Sequence, residues 1–329
     1  MKPIFVTGAT GFLGKHLVEQ LKLAGEGGRL RLLCRGASAW DSDPAVDVAR
    51  GDVTSARDVD RAMEGAGWVY HLAGIVSRNP AARDLLFATH VEGTRNVCEA
   101  ALKHGIEKVV VVSSSGTIAV SREAVVHDEN SGYKHEVVGG WPYYQSKIFA
   151  EKLALSVYER KGLPVVAVNP GLLLGPGDDR NSSTGDVALF LDGQILSMPL
   201  GGVSFVDVRD AAGGVIAAMR AGQPGERYLL GGPNWTFRRL IEELSRISGV
   251  RPPILELSLG LSRAGASVAR GLLPLIGRRF DLDDATIEMS AHFWYCNSDK
   301  AAATLGFRNR DPVVTLRDTV EDIRRRRAR

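Results

Sequence analysis

VTGATGFLG, from Val6 to Gly14, is the stretch on which the reading of this chain turns. Gly8, Gly11 and Gly14 form G-x-x-G-x-x-G rather than the commoner G-x-G-x-x-G, so the spacing alone says little. The flanks say more. Pro3-Ile4-Phe5-Val6 is a short apolar run, and Leu13, Leu17, Val18 and Leu21 then recur at helical spacing up to Gly25. The order is strand, glycine turn, helix. In that setting the glycines allow a tight turn, a close approach of backbone to a pyrophosphate, and close packing of helix on strand. The helix N-terminus adds free N–H groups and the positive end of its dipole.

Further along, apolar runs at Leu30–Cys34, Val46–Val48, Trp68–Ala73, Lys108–Val112, Val165–Val168 and Arg227–Leu230 read as strands. Helical patterns at Arg83–His104 and Tyr143–Lys161 lie between them. Alternation of this kind predicts an α/β fold, a Rossmann-type doubly wound parallel sheet of about seven strands covered on both faces. Beyond Gly175 the rhythm breaks into glycine, proline and polar residues, and a mixed region follows from Pro233. The expected division is therefore a nucleotide-binding domain over 1–175, completed by about 203–232. A smaller mixed α/β C-terminal lobe over 176–202 and 233–329 would hold the substrate.

Composition narrows the function classes. With 41 basic and 38 acidic side chains the net charge is only +3, which gives no reason to expect nucleic acid. Cys34, Cys98 and Cys296 are far apart and unaccompanied by histidine clusters, so neither a disulfide framework nor a metal site is expected. The run Leu255–Ile276 is broken by Glu256, Arg263, Arg270 and Pro274, too often for a membrane span. It is expected to roof a pocket. The Arg324–Arg327 run is expected to be a solvated, partly frayed helix end. With a strand entered almost at the first residue, no signal peptide is expected, and a cytoplasmic location follows.

Chemistry is concentrated in PYYQSKIFAE, Pro142–Glu151. Tyr143 and Lys147 are four residues apart in a helical segment and leave the same face. An ammonium beside a phenol favours the phenolate, so the Tyr143 pKa is expected to fall from its reference near ~10. Tyr144 fits less well, three residues from Lys147. Upstream, Ser113, Ser114 and Ser115 close the fifth strand, where a hydroxyl faces the cleft.

Taken together these segments resemble the extended short-chain dehydrogenase/reductase family. The resemblance is carried by TGATGFLG (Thr7–Gly14), GDVT (Gly51–Thr54), HLAG (His71–Gly74), VEGT (Val91–Thr94), SSS (Ser113–Ser115), YYQSK (Tyr143–Lys147), NPGLLLGPGD (Asn169–Asp178) and FVDVRDAA (Phe205–Ala212). It implies a Ser/Tyr/Lys triad on Ser115, Tyr143 and Lys147, with Tyr143 as acid/base, Ser115 orienting the carbonyl or alcohol, and Lys147 also holding the nicotinamide ribose. The cofactor would lie on Thr7, Gly8, Thr10, Gly11, Phe12 and Leu13, with Asp52 and Val53 flanking adenine. Leu72, Ala73, Gly74 and Ser113 would line its middle, and Asn169, Pro170 and Gly171 would approach the nicotinamide. Family members commonly carry Asn where this chain has His90, which leaves open whether His90 donates in its place or simply packs. A homodimer through Arg83–His104 and Tyr143–Lys161 is also implied.

The second strand ends LLCRGAS, with Arg35 and no acid, so NADP(H) is expected over NAD(H). Gly116-Thr117 after the serines lacks the acidic pair of sugar dehydratases, and VNPGLLLGP lacks the arginine and tyrosine usual in nucleotide-sugar epimerases. The reductase and hydroxysteroid branches resemble it more closely. Leu189, Phe190, Leu191, Ile195, Leu196 and Met198, with Phe293, Trp294 and Tyr295, suggest a cleft for an apolar carbonyl or secondary alcohol. A nucleotide-sugar epimerase is the alternative. So is a redox sensor that holds NADP without chemistry, although such relatives typically lose the tyrosine-lysine pair.

Overall fold

The computed structural model describes residues 2–257, 259–272 and 283–328. Its main sheet is built from β1 (Ile4–Thr7), β2 (Leu30–Cys34), β3 (Asp47–Arg50), β4 (Trp68–His71), β5 (Lys108–Val112), β6 (Val165–Pro170) and β9 (Arg227–Leu230). These seven strands run in the order β3-β2-β1-β4-β5-β6-β9, each parallel to its neighbours. The order reverses between β1 and β4, which opens a crevice at their carboxyl ends. The expected fold class is the one observed. Three strands differ in their limits from the sequence reading: β4 stops at His71, leaving Leu72 and Ala73 as loop, β3 starts one residue later and runs on to Arg50, and β6 runs on to Pro170.

Alternation along the strands feeds two cores. Ile4, Val6, Val166 and Val168 face one side, where α1 (Phe12–Leu23) and α8 (Val208–Ala221) bring Leu17, Val18, Val215 and Met219. Phe5, Val109, Val165 and Ala167 face the other. There α2 (Ala56–Met63), α4 (Gly93–Lys103) and α6 (Pro142–Lys161) add Val59, Val97 and Ala154. Strands buried on both faces read as continuous apolar runs, which is why this sheet was visible in the sequence. The helical pattern over Arg83–His104 is interrupted: α3 (Arg83–Phe87) passes through a π-turn at Ala88–Glu92 before α4. One inserted turn of this kind re-aims side chains and often marks a functional site.

A second, smaller sheet centres on β8 (Gly202–Asp207), paired with β7 (Leu172–Leu174), β10 (Asn234–Thr236) and β11 (Phe293–Trp294). Around it lie α5 (His135–Val138), α7 (Gly185–Leu191), α9 (Phe237–Ser248), α10 (Leu259–Leu272), α11 (Asp284–Met289) and α13 (Pro312–Arg327), whereas α12 (Asp299–Leu305) packs on α8 and β9 and joins the core of the main sheet. The FVDVRDAA motif marks the joint between the two parts. Asp207 caps α8 through the Arg209 N–H, and its buried carboxylate also takes the Arg209 guanidinium and the Thr315 hydroxyl of α13.

Among the described residues no helix is long and apolar enough to cross a membrane. Residues 273–276 of the Leu255–Ile276 run lie outside the described residues. The Arg324–Arg327 run is not a frayed end. Arg324 donates to the Ser248 carbonyl, Arg326 to Asp322 and Asn181, and Arg327 to Asp192. Three of these partners, Ser248, Asn181 and Asp192, come from distant segments invisible to a local charge pattern.

Candidate active site

The three glycines of the first turn do separate work. Gly8 has φ +77°, and a Cβ there would fall 2.5 Å from the Leu72 carbonyl carbon and 2.6 Å from the Ala73 nitrogen. It must be glycine on both counts. A Cβ at Gly14 would sit 2.1 Å from the Gly8 carbonyl oxygen, so helix and turn touch there. Gly11 is less confined, its nearest protein atom 3.3 Å from a notional Cβ. It is the N-cap of α1 with no side-chain cap, so the first N–H groups of the helix stay available to an anion at that surface. Thr7 is buried, its hydroxyl donating to His71 and accepting from the Ala73 N–H, while Thr10 is half-buried beside it. Phe12 and Leu13 anchor the helix in the core.

Tyr143, Lys147 and the serine triplet converge at the ends of β4 and β5. The Lys147 ammonium donates to the Val112 carbonyl at 3.0 Å, and burial pulls its pKa down to about 8. Tyr143 moves the other way from the sequence expectation. Its phenol is raised above its ordinary value by burial first and by Tyr144 second, and only a hydrogen bond with Ser114 opposes this. Desolvation sets the direction, because burial penalises the charged phenolate, and Lys147 is not among the groups that oppose it. The hydroxyl set against the phenol is thus that of Ser114, one residue before the position that the resemblance indicated. Ser115 is buried and opens the 3₁₀ turn Ser115–Thr117. Ser113 is buried as well, its hydroxyl without a partner among the described residues. Tyr144 packs instead among Trp141 and Trp294, over Gly116, where a Cβ would lie 2.3 Å from its ring.

His90, carried by the π-turn, uses both ring nitrogens. Nε2 accepts the Ile75 N–H at 3.0 Å. Ser146 donates its own proton to the Tyr143 carbonyl, so it is Nδ1–H of His90 that donates to the Ser146 hydroxyl at 2.8 Å. The ring is therefore neutral, and burial holds its pKa down at about 2. His71 is neutral for the same reason, at about 3, between Thr7 and Thr94. A Cβ on Gly74 would lie 3.1 Å from His90 Nε2 and 3.3 Å from Lys147 Nζ. The loop Leu72–Gly74 thus joins the glycine turn to the lysine.

The other expected residues lie around this crevice with varied surroundings. Arg35 follows β2 with a side chain 64% exposed, its Nη1 4.0 Å from Asp52. The neighbouring acid, Asp41, is turned to the Ser38 N–H and to Arg50. Asp52 also accepts from the Thr54 hydroxyl, and Val53 is buried against Gly93. Asn169 turns inward: its amide donates to Glu151 at 2.7 Å and to the Ser114 carbonyl at 3.2 Å. Pro170 ends β6 and Gly171 packs on the Ser204 carbonyl.

Two features escaped the sequence reading. Arg78 makes two 2.7 Å bonds to Asp186 and one of 3.0 Å to Thr286, linking the loop after β4 to α7 and α11. Thr286 also lines an apolar pocket bounded by Ile195, Leu196 and Met198 and covered by Leu259 and Ala266 of α10. Of the other apolar candidates, Phe190 and Trp294 belong to a buried core, and the Tyr295 ring closes on Gly202. The second missed feature is Glu151, a fully buried carboxylate one turn beyond Lys147. A single acid in the otherwise apolar IFAE was the available signal.

The family model described as NAD dependent epimerase/dehydratase family matches residues 4–231. A relative from Synechocystis sp., provisionally named a dihydroflavonol 4-reductase, is 33% identical over 323 residues, covering 96% of this chain and 93% of its own. Sterol demethylase protein B of Methylococcus capsulatus is 33% identical, over 77% of this chain and 76% of its own. The crystal structure of gox2253 superposes with a TM-score of 0.84 at 31% identity, covering 99% of this chain and 98% of that one.

Proposed function

From a chain that belongs to the NAD dependent epimerase/dehydratase family, we propose an NAD(P)-dependent oxidoreductase that interconverts a carbonyl and a secondary alcohol on a largely apolar small molecule. The reading is supported by similarity to proteins named as a reductase and a sterol demethylase. The observation that carries it is the grouping of Ser114, Tyr143 and Lys147 beside a glycine turn whose Gly8 and Gly14 leave no room for a Cβ.

The turn fits a dinucleotide. Gly8, Gly11 and the uncapped start of α1 would take its pyrophosphate, Asp52 and Val53 its adenine, and Leu72, Ala73, Gly74 and Lys147 its middle and nicotinamide ribose. Asn169, Pro170 and Gly171 would border the nicotinamide. When bound, the nicotinamide supplies or accepts the hydride. We favour NADP(H), because Arg35 is exposed at the end of β2 and the acid nearby in sequence is neutralised by Arg50.

Burial keeps the Tyr143 phenol protonated at neutral pH, so it meets a substrate oxygen as a hydrogen-bond donor and general acid. Ser114 orients the same oxygen. Lys147 holds positive charge close by, which favours the phenolate once the proton has gone. The apolar pocket under α10 would take the rest of the substrate. In this reading 1–175 with about 203–232 serves the dinucleotide, and 176–202 with 233–329 the substrate.

The test is NADPH oxidation against flavonoid-, steroid- and acyl-type carbonyls, in the parent protein and in Tyr143→Phe. Turnover is expected in the parent and a loss of roughly 10²–10⁴-fold in the variant, with NADPH affinity retained. No oxidation of any such carbonyl, together with interconversion of a UDP- or dTDP-sugar, would overturn the proposal.

A further inference from the structure

Glu151 lies four residues beyond Lys147 on the same face of α6, with its carboxylate out of reach of water. Four groups converge on it. The Asn169 amide donates at 2.7 Å, the Thr117 and Tyr133 hydroxyls each at 3.2 Å, and Arg227 Nε lies at 3.2 Å. These partners come from β6, from the turn after β5, from the loop before α5, and from β9. Two of them also reach the Ser114 backbone: the Asn169 amide lies 3.2 Å from its carbonyl, and the single Thr117 proton is shared between that carbonyl at 2.8 Å and Glu151. A buried carboxylate satisfied only by such contacts cannot exchange them for solvent, so its partners are held in register.

We propose that Glu151 is a positioning residue for the reaction, clamping the Ser114 backbone through Thr117 and Asn169 and supplying the counter-charge that keeps Lys147 cationic. It acts through both without touching substrate. The inference rests on the function proposed above.

The surroundings of Lys147 support it. Tyr143 and Glu151 face it from its own helix, His71 from the end of β4 and His90 from the π-turn. Both histidines are neutral, and Tyr143 is held protonated by burial. Glu151 is the group whose charge works against the burial that draws the Lys147 pKa down to about 8. Arg227 offsets part of that charge from the far side of the carboxylate.

The test compares the parent protein, Glu151→Gln, Glu151→Asp and, should the single Gln variant fail to fold, Glu151→Gln with Arg227→Gln. The first readout is NADPH affinity from pH 6.5 to 10. In the parent it is expected to weaken as Lys147 deprotonates near pH 8. In the Gln variant this break is expected about one pH unit lower, the size of effect an adjacent opposite charge commonly has. The Asp variant should keep the parent's break. The second readout is carbonyl reduction at pH 7, where the Gln variant is expected to lose about tenfold in kcat with little change in KM, equivalent to one misplaced hydrogen bond in the transition state. A folded Gln variant, single or paired, with the parent's break and kcat overturns this inference alone. A parent protein that binds neither NADPH nor NADH overturns the proposed function and this inference together.

Discussion

Lys147 Nζ lies 3.0 Å from the Val112 carbonyl oxygen, which ties the ammonium expected to acidify Tyr143 to the end of β5 by one of its three donors. The phenol responds to burial and keeps its proton. In the proposed reaction the phenol would hold its proton before substrate arrives, and the Ser114 hydroxyl beside it would orient a carbonyl oxygen.

Ser114→Ala is expected to lower kcat by about tenfold to a hundredfold, the scale of one strong hydrogen bond of about 1.5–3 kcal/mol to a developing charge. Ser115→Ala should stay within about threefold, a change of less than about 1 kcal/mol. Steady-state kinetics on any carbonyl that the parent reduces checks this. The reverse ranking would return the role to Ser115.

Arg35→Ala should cost NADPH about tenfold in kcat/KM and leave NADH nearly unchanged, because one charge-assisted contact to a 2′-phosphate is worth about 1.5 kcal/mol. The measurement is kcat/KM with each cofactor. A parent protein that prefers NADH would refute the NADP(H) proposal outright.

His90→Asn is expected to keep activity, since an amide offers both the acceptor used by Ile75 and the donor used by Ser146. His90→Leu removes both and should destabilise the fold by about 1–3 kcal/mol. A pH dependence follows as well. The folded pKa values of His71 and His90 lie at about 3 and about 2, below the ordinary 6.5. Under pH 6.5 the unfolded chain takes up protons that the folded one refuses, so their contribution is complete above pH 6.5 and is lost as pH falls toward 3. Thermal unfolding between pH 7 and 4 should therefore show a shallower decline for His90→Asn than for the parent. Equal slopes would rule out a neutral buried His90.

Much of the fold was legible because it is written in local periodicity. The runs at Leu30–Cys34, Lys108–Val112 and Arg227–Leu230 correspond to β2, β5 and β9 end for end, since a strand buried on both faces is apolar but for one basic residue near its start, here Arg31, Lys108 and Arg227. The smaller sheet was not resolved in advance. β7 and β10 are three residues long and β11 two, too short for any alternation to register.

What the sequence by itself determined is the strand–glycine turn–helix entry, the parallel sheet, the family, and the placing of Tyr143 and Lys147 on one helical face. All of these are consequences of spacing along the chain. Tertiary structure alone decided that Ser114 meets the phenol, that His90 bonds through both nitrogens, that Glu151 gathers Asn169, Thr117, Tyr133 and Arg227, and that the Tyr143 pKa rises. Each of these depends on which distant groups exclude water from one another, and desolvation is a property of the packed assembly that no interval between residues encodes.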